Sequence, residues 1–260
     1  MPVSYTRHVQ RTLREPVAYT SAGTRRATVL IRPGAPDTGI RFVRWDPPGG
    51  VQTLPVRIEY VGTDGANATL QSPGGAEVRG VGPVLVGLAA CGIDNAEIAL
   101  DGDEAVLPPG GGAALVDALE RAGAEEQARP LRVIKIERSL TVADGARSAI
   151  LRPSTVPHAA ISLEAADGSG RRRWLAVGLG EEMLRELIRS LAGDAKQSAG
   201  SESLRRMLLE CVGYLVAAGA PIVGHFLAQN PDHELMRNLV RALAGQQGSW
   251  SLVTVSAPST

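Results

Sequence analysis

Two stretches of this chain repeat one local plan: a helix of small apolar residues, a glycine that stops it, and a strand. G-L-A-A-C-G-I-D-N-A-E-I-A-L at 87–100 lines up with G-Y-L-V-A-A-G-A-P-I-V-G-H-F-L at 213–227, apart from one extra residue. Such an echo favours two related α+β units over one unbroken domain. A chain of 260 residues is long enough to give each unit its own core.

The rest of the chain fits that division. Ala27–Ile31 and Ile40–Val43 are β-rich and bounded by Pro33-Gly34 and Pro36-Asp37, so they read as strands, with Pro47 to Gly50 as a loop. Val81–Ala90 reads as a helix stopped by Gly92, Asn95–Leu100 as a strand, and Leu115, Val116 and Leu119 as one helix face ending near Gly123. The charged, Pro-containing segment Glu125–Pro130 reads as a linker. Strands follow at Leu131–Ile136, Ser139–Val142 and Ala149–Leu151. Met183, Leu184, Leu187, Ile188 and Leu191 make an amphipathic helix, and Gly193–Ser201 a polar loop. A helix at 202–218, a strand Ile222–Ala228 and a helix near 232–244 complete the second unit, with Ser256–Thr260 frayed. The predicted architecture is α+β: two related two-layer α/β sandwich domains, at 8–126 and 131–256, packed about a cleft, with tails at 1–7 and 257–260.

Composition removes several functional classes. Basic and acidic residues both number 27, so no global field draws the chain to nucleic acid or an anionic membrane. Aromatic residues at 3% are too few for base-stacking platforms. The longest apolar run, Val212–Leu227, is broken by glycines and Pro221 and is too short to span a bilayer. Met1–Arg14 has no apolar signal core. Cys91 and Cys211 sit in apolar, helix-like segments, as buried thiols rather than a disulfide framework. A reducing, cytoplasmic location is expected.

Several collinear pieces carry a resemblance. They are Arg11-Thr12-Leu13; the turn at Ser21 to Thr24; Pro33 with Asp37-Thr38-Gly39-Ile40-Arg41-Phe42; and Gly92-Ile93-Asp94-Asn95-Ala96 with Leu100-Asp101-Gly102 and Glu104. Val133 to Val142 with Asp144-Gly145, Leu204 to Leu215, and Ala220-Pro221-Ile222-Val223-Gly224 continue the order. Together these resemble UDP-3-O-acyl-N-acetylglucosamine deacetylase, the zinc amidase of lipid A biosynthesis. The resemblance implies two α+β domains with a catalytic cleft between them, holding an open zinc site of three protein ligands plus water and a nearby carboxylate base.

Measured against that family pattern, the chemistry is missing. The Glu-His pair that supplies base and first ligand is Gly82-Pro83 here, and neither side chain has a lone pair. The other two ligands, a His and an Asp one helical turn apart, correspond to Arg206 and Glu210. Arg206 carries a permanent positive charge and repels a cation. The lysine that meets the substrate diphosphate is Met207, the Asp that supports the catalytic imidazole is Tyr214, and the family's D-G-S-A segment is Pro109-Gly110-Gly111-Gly112. The segments that build the acyl-chain passage have no counterpart between Leu175 and Ser201. Only the catalytic His has a match, His233.

The sequence therefore predicts a non-catalytic binding or regulatory relative, with no cofactor expected. Arg206, Glu210, Tyr214 and His233 would line the former cleft and meet an unknown protein or small-molecule partner, the active deacetylase being one candidate. Nucleic acid and a transmembrane segment are not expected. A second reading stays open: an active deacetylase-like hydrolase with zinc relocated to His225, His233 and Glu210, against which stands the ordinary role of a strand histidine as a structural residue.

Two smaller expectations complete the reading. Arg206 and Glu210 predict an ion pair, worth about 0.3 to 0.5 kcal/mol if exposed. If it lies in the cleft, losing one partner costs about 3 to 5 kcal/mol, and Arg206→Ala should harm stability more than Arg205→Ala. Arg171-Arg172-Arg173-Trp174 reads as a solvated turn between strands, with binding of phosphate or an acidic partner as the alternative. Gly110 to Gly112 make a flexible turn, since no lysine and Ser/Thr follow at phosphate-loop spacing.

Overall fold

The two glycine stops of the repeat both take left-handed backbone in a computed structural model of the chain, φ +66° at Gly92 and +94° at Gly219. At Gly219 a Cβ would lie 2.3 Å from the carbonyl oxygen of Val56, so the stop also requires the absence of a side chain. The structure describes residues 7–21, 27–46, 50–62, 68–154, 160–166, 172–178, 180–192, 199–246 and 248–255.

The first half runs β1 (Val9–Leu13), β2 (Val17–Thr20), β3 (Thr28–Pro33), β4 (Ile40–Asp46), β5 (Gly50–Pro55), a 3-10 turn (Ile58–Tyr60) and the short β6 (Leu70–Gln71) and β7 (Glu77–Val78). Helix α1 (Val81–Ala90), β8 (Ala96–Leu100), α2 (Gly111–Ala122) and β9 (Ala124–Pro130) follow. The second half runs β10 (Arg132–Ile136), β11 (Leu140–Asp144), β12 (Arg147–Arg152), β13 (Ala160–Ala166) and β14 (Arg172–Gly178). It continues with α3 (Glu181–Ser190), α4 (Ala199–Val216), β15 (Ile222–Val223), β16 (His225–Gln229), α5 (His233–Gly245) and β17 (Trp250–Thr254).

The repeat extends to topology. One five-stranded sheet has the order β2-β3-β8-β4-β5 and the other β11-β12-β16-β13-β14. In each, the strand after the helix enters the middle, antiparallel to the second strand and parallel to the third. That insertion buries Ile98 and Leu100 in one sheet and Phe226 and Ala228 in the other, the alternate positions of their strands. The fold is thus the α+β arrangement expected, with α1 packed on α2, α3 and α4 and one apolar core continuous through both halves.

Several local expectations are corrected. Glu125–Pro130, read as a linker, lies in β9, paired antiparallel with β1. Its residues face solvent except for Gln127, so there is no apolar alternation to read. Hydrogen bonds hold it instead: Asn95 Nδ2 donates to Gln127 Oε1 at 2.7 Å and Gln127 Nε2 to the Gly34 carbonyl at 2.9 Å. Arg172, Arg173 and Trp174 belong to β14 rather than a turn, registered against Ala166, Ala165 and Glu164. The C-terminal strand β17 pairs with β10 and was not anticipated. Residues 199–201 begin α4 rather than end a loop. The expected turn at 22–24, the loop at 47–49, Arg171, residues 193–198 and the C-terminal 256–260 lie outside the described residues.

Arg7 corrects the N-terminal tail. It is 8% exposed, and its guanidinium grips Asp94 through both Nη atoms, the Val9 carbonyl at 2.8 Å and Glu181 at 3.2 Å. Asp94 follows the first glycine stop and Glu181 opens α3, so this buried cluster joins the two halves.

Candidate functional site

Gly82 and Gly213 face each other backbone to backbone between α1 and α4. A Cβ on Gly82 would lie 3.3 Å from the Gly213 Cα, and one on Gly213 would lie 3.1 Å from the Gly82 Cα. Pro83 occupies the first turn of α1, where a missing N–H costs nothing. Beside this crossing lies a cavity of about 370 Å³ lined by Gly82, Pro83, Gly110 to Gly112, Arg206, Glu210, Tyr214 and His233. The candidate site residues are brought together there with one exception, while Met207, matched to the diphosphate lysine, packs against the core instead.

The exception is His225. It lies on β16, and its Nε2 is 3.0 Å from Ser162 Oγ on β13. Burial, and then the charge of Arg152, lower its basicity. It does not line the cavity, so the trio His225, His233 and Glu210 is not assembled. Among the described residues, no three His, Cys, Asp or Glu side chains are grouped to hold a metal ion.

The expected Arg206–Glu210 pair is also absent. Arg206 turns back along α4 to Glu202, Nη2 to Oε1 at 3.0 Å, with 64% and 47% of the two side chains exposed. Glu210 faces His233 instead, Oε2 to Nε2 at 3.9 Å. Both helix partners of Arg206 were four residues away, so spacing alone could not choose between them.

His233 is the first residue of α5, and its place is set by the cap before it. Asp232 accepts the Leu235 N–H at 2.9 Å, and Arg147 pairs with the same carboxylate. On the far side, His233 Nδ1 meets the Tyr214 hydroxyl at 3.3 Å. Tyr214 is 1% exposed, and burial pushes its phenol up to about 12. The phenol is therefore neutral, and its hydroxyl can donate to or accept from the imidazole nitrogen.

Opposite these groups, Gly110 and Gly111 have φ of +90° and +70° and start α2 without a side-chain cap. A second cavity, of about 450 Å³, lies along the Arg7, Asp94 and Glu181 cluster, with Leu85, Val212 and Leu215 in its wall. Asp94 was legible as part of a motif, but nothing in the sequence connected it with Arg7 and Glu181, far away along the chain.

A duplicated five-stranded unit, its helices meeting over a shared cavity, defines a two-unit α+β protein with a cavity at the helix junction. Residues 10–190 match the family model described as UDP-3-O-acyl N-acetylglycosamine deacetylase, and the chain belongs to that family. It is similar to the UDP-3-O-acyl-N-acetylglucosamine deacetylase of Phenylobacterium zucineum (strain HLK1), 28% identical over 282 residues, covering 94% of this chain and 96% of that one. The enzyme of the same name from Shewanella piezotolerans (strain WP3) is 28% identical over 284 residues, covering 94% of this chain and 92% of the relative. No described helix is long and apolar enough to cross a membrane.

Proposed function

We propose that this chain keeps the deacetylase fold without zinc-dependent amide hydrolysis and acts by binding in its remodelled cavity. The observation that carries the reading is the Gly82–Gly213 contact: the position matched to the family's base is occupied by a backbone crossing with no side chain. Amide hydrolysis by this route needs a carboxylate to take a proton from water, and glycine cannot supply one.

The donor set supports the same reading. An open zinc site has three protein ligands, whereas the matched positions carry Pro83, Arg206 and Glu210. Pro83 offers no donor, and Arg206 is engaged with Glu202. Glu210 and His233 are the remaining donors that line the cavity, and they do not fit a three-ligand zinc centre. Binding is the role left to a shaped space with apolar walls and a few convergent polar groups.

The test is hydrolysis of UDP-3-O-acyl-N-acetylglucosamine by pure protein supplied with zinc. The reading expects no chelator-sensitive release of acetate above a zinc-only control. Efficient turnover abolished by chelation would overturn it.

A further inference from the structure

The outer face of the sheet β2-β3-β8-β4-β5 falls into three cross-strand rows, made of the residues that alternate with the buried Val29, Ile31, Phe42 and Ile98. The middle row is apolar: Ala18, Leu30, Ala99 and Val43 stand side by side in register, and Thr53 closes the row on the edge strand. Two residues along the strands lies a charged row, in which Glu97 meets Arg32 at 3.2 Å and Arg41 at 2.9 Å. Two residues the other way, Trp45 stands opposite Val51, the two being 72% and 66% exposed. Arg41, Val43 and Trp45 are therefore one column on β4, with cation and indole each about 6.6 Å from the apolar middle.

Such a face is complementary to itself, and we infer that a second copy of this chain docks on it. A two-fold axis laid along the apolar row reverses the strands, so Val43 packs on the partner subunit's Val43 and Arg41 lies over the partner subunit's Trp45, twice per dimer. Guanidinium over indole is a favoured cation–π pair. Packed sheets cross at about 30°, and β4 lies beside the central strand β8, where that rotation displaces the pairs least. An anionic lipid surface is the weaker fit, because Glu97 already neutralises one of the two arginines on the face. The second sheet cannot pair this way: on β13, matched to β4, Ser162 takes the middle and Glu164 the place of Trp45. Five strands span only about 20 Å, so the dimer is weak, with dissociation on the order of 100 µM. None of these residues lines the 370 Å³ cavity, so the inference stands apart from the binding reading.

The experiment is sedimentation equilibrium of the whole chain, run on the parent, Arg41→Ala, Trp45→Ala and Trp174→Ala, the last removing the exposed indole of the other sheet. Unfolding midpoints are measured alongside to show that each variant is folded. Parent and Trp174→Ala should self-associate equally, whereas Arg41→Ala and Trp45→Ala should each weaken association about tenfold, since each removes both cation–π contacts of the dimer. An equimolar mixture of Arg41→Ala and Trp45→Ala should associate more tightly than either alone, because the mixed dimer regains one contact. A parent that stays monomeric up to about 1 mM, a dimer indifferent to Arg41 and Trp45, or a mixture no tighter than its components would overturn the inference. So would a monomeric parent held on anionic lipid vesicles through Trp45.

Discussion

Gly82 and Gly213 face each other backbone to backbone where α1 crosses α4, and a Cβ on either would crowd the other's Cα at 3.1 to 3.3 Å. The crossing brings the start of α1 against the helix that carries Glu210 and Tyr214, so it shapes one wall of the cavity. Alanine at Gly213 gains about 1 kcal/mol in helix propensity against about 1 to 3 kcal/mol for overpacking. The net expectation is a loss of about 1 kcal/mol for Gly213→Ala, rising to about 3 kcal/mol for Gly213→Val. Gly102→Ala, where a Cβ meets nothing within 4 Å, should change stability little. Urea unfolding of the three variants measures this, and a Gly213→Val protein as stable as the parent would remove the crossing from the account.

Arg206 should prove dispensable for stability. Its pair with Glu202 is exposed, so Arg206→Ala should cost less than about 0.5 kcal/mol, with a coupling to Glu202 that fades in added salt. A double-mutant cycle at low and high salt reads the coupling. A cost of several kcal/mol would restore the cleft ion pair that the sequence suggested.

The buried Arg7–Asp94 pair should behave in the opposite way. The two side chains are 7% and 14% exposed, and Asp94→Asn leaves the guanidinium without its main counter-charge. The expected loss is about 3 kcal/mol or more, against little for Asp103→Asn, whose pair with Arg79 is at the surface. Equal losses in urea unfolding would contradict the role given to this cluster in joining the two halves.

The two thiols should be unreactive in the folded chain. Cys211 is buried, and burial, then the charge of Glu120, pushes the Cys91 thiol up to about 12. Thiolate is the reactive form. A chromogenic disulfide at pH 8 should find neither cysteine before unfolding and both after it. Rapid reaction of a native thiol would show that the helices around it open.

His225 makes part of the stability pH-dependent. Its folded basicity lies below the unfolded value of about 6.5, so above that pH the neutral ring costs nothing. As pH falls through the unfolded value toward the lower folded one, the unfolded chain takes up the proton first and stability declines. His225→Gln should flatten the slope of unfolding free energy between pH 7 and 5. An unchanged slope would assign the decline to other groups.

Much of the fold was legible because it was written in local signals. Helix α1 and the inward face of α5, with Leu235, Met236, Leu239, Val240 and Leu243, follow from apolar periodicity and glycine stops. Strand β9 was not legible, because an exposed polar strand held by Asn95, Gln127 and the β1 ladder has no apolar alternation. The gathering of Glu210, Tyr214 and His233 was foreseen by comparison with the family, yet their pairings were not. Spacing offers Arg206 two acidic neighbours on the same helix, and only the folded backbone turns Glu210 toward α5. Arg7 was hidden for the same reason: its partners, Asp94 and Glu181, are distant in the chain.

Metal content tests the central claim most directly. The chain is expressed with added zinc, purified without chelators or a metal-binding tag, dialysed, and analysed by plasma mass spectrometry beside a family relative that carries the Glu-His pair. The account predicts zinc far below one equivalent in this chain. About one tightly held zinc per chain, the content of an intact catalytic site, would contradict it.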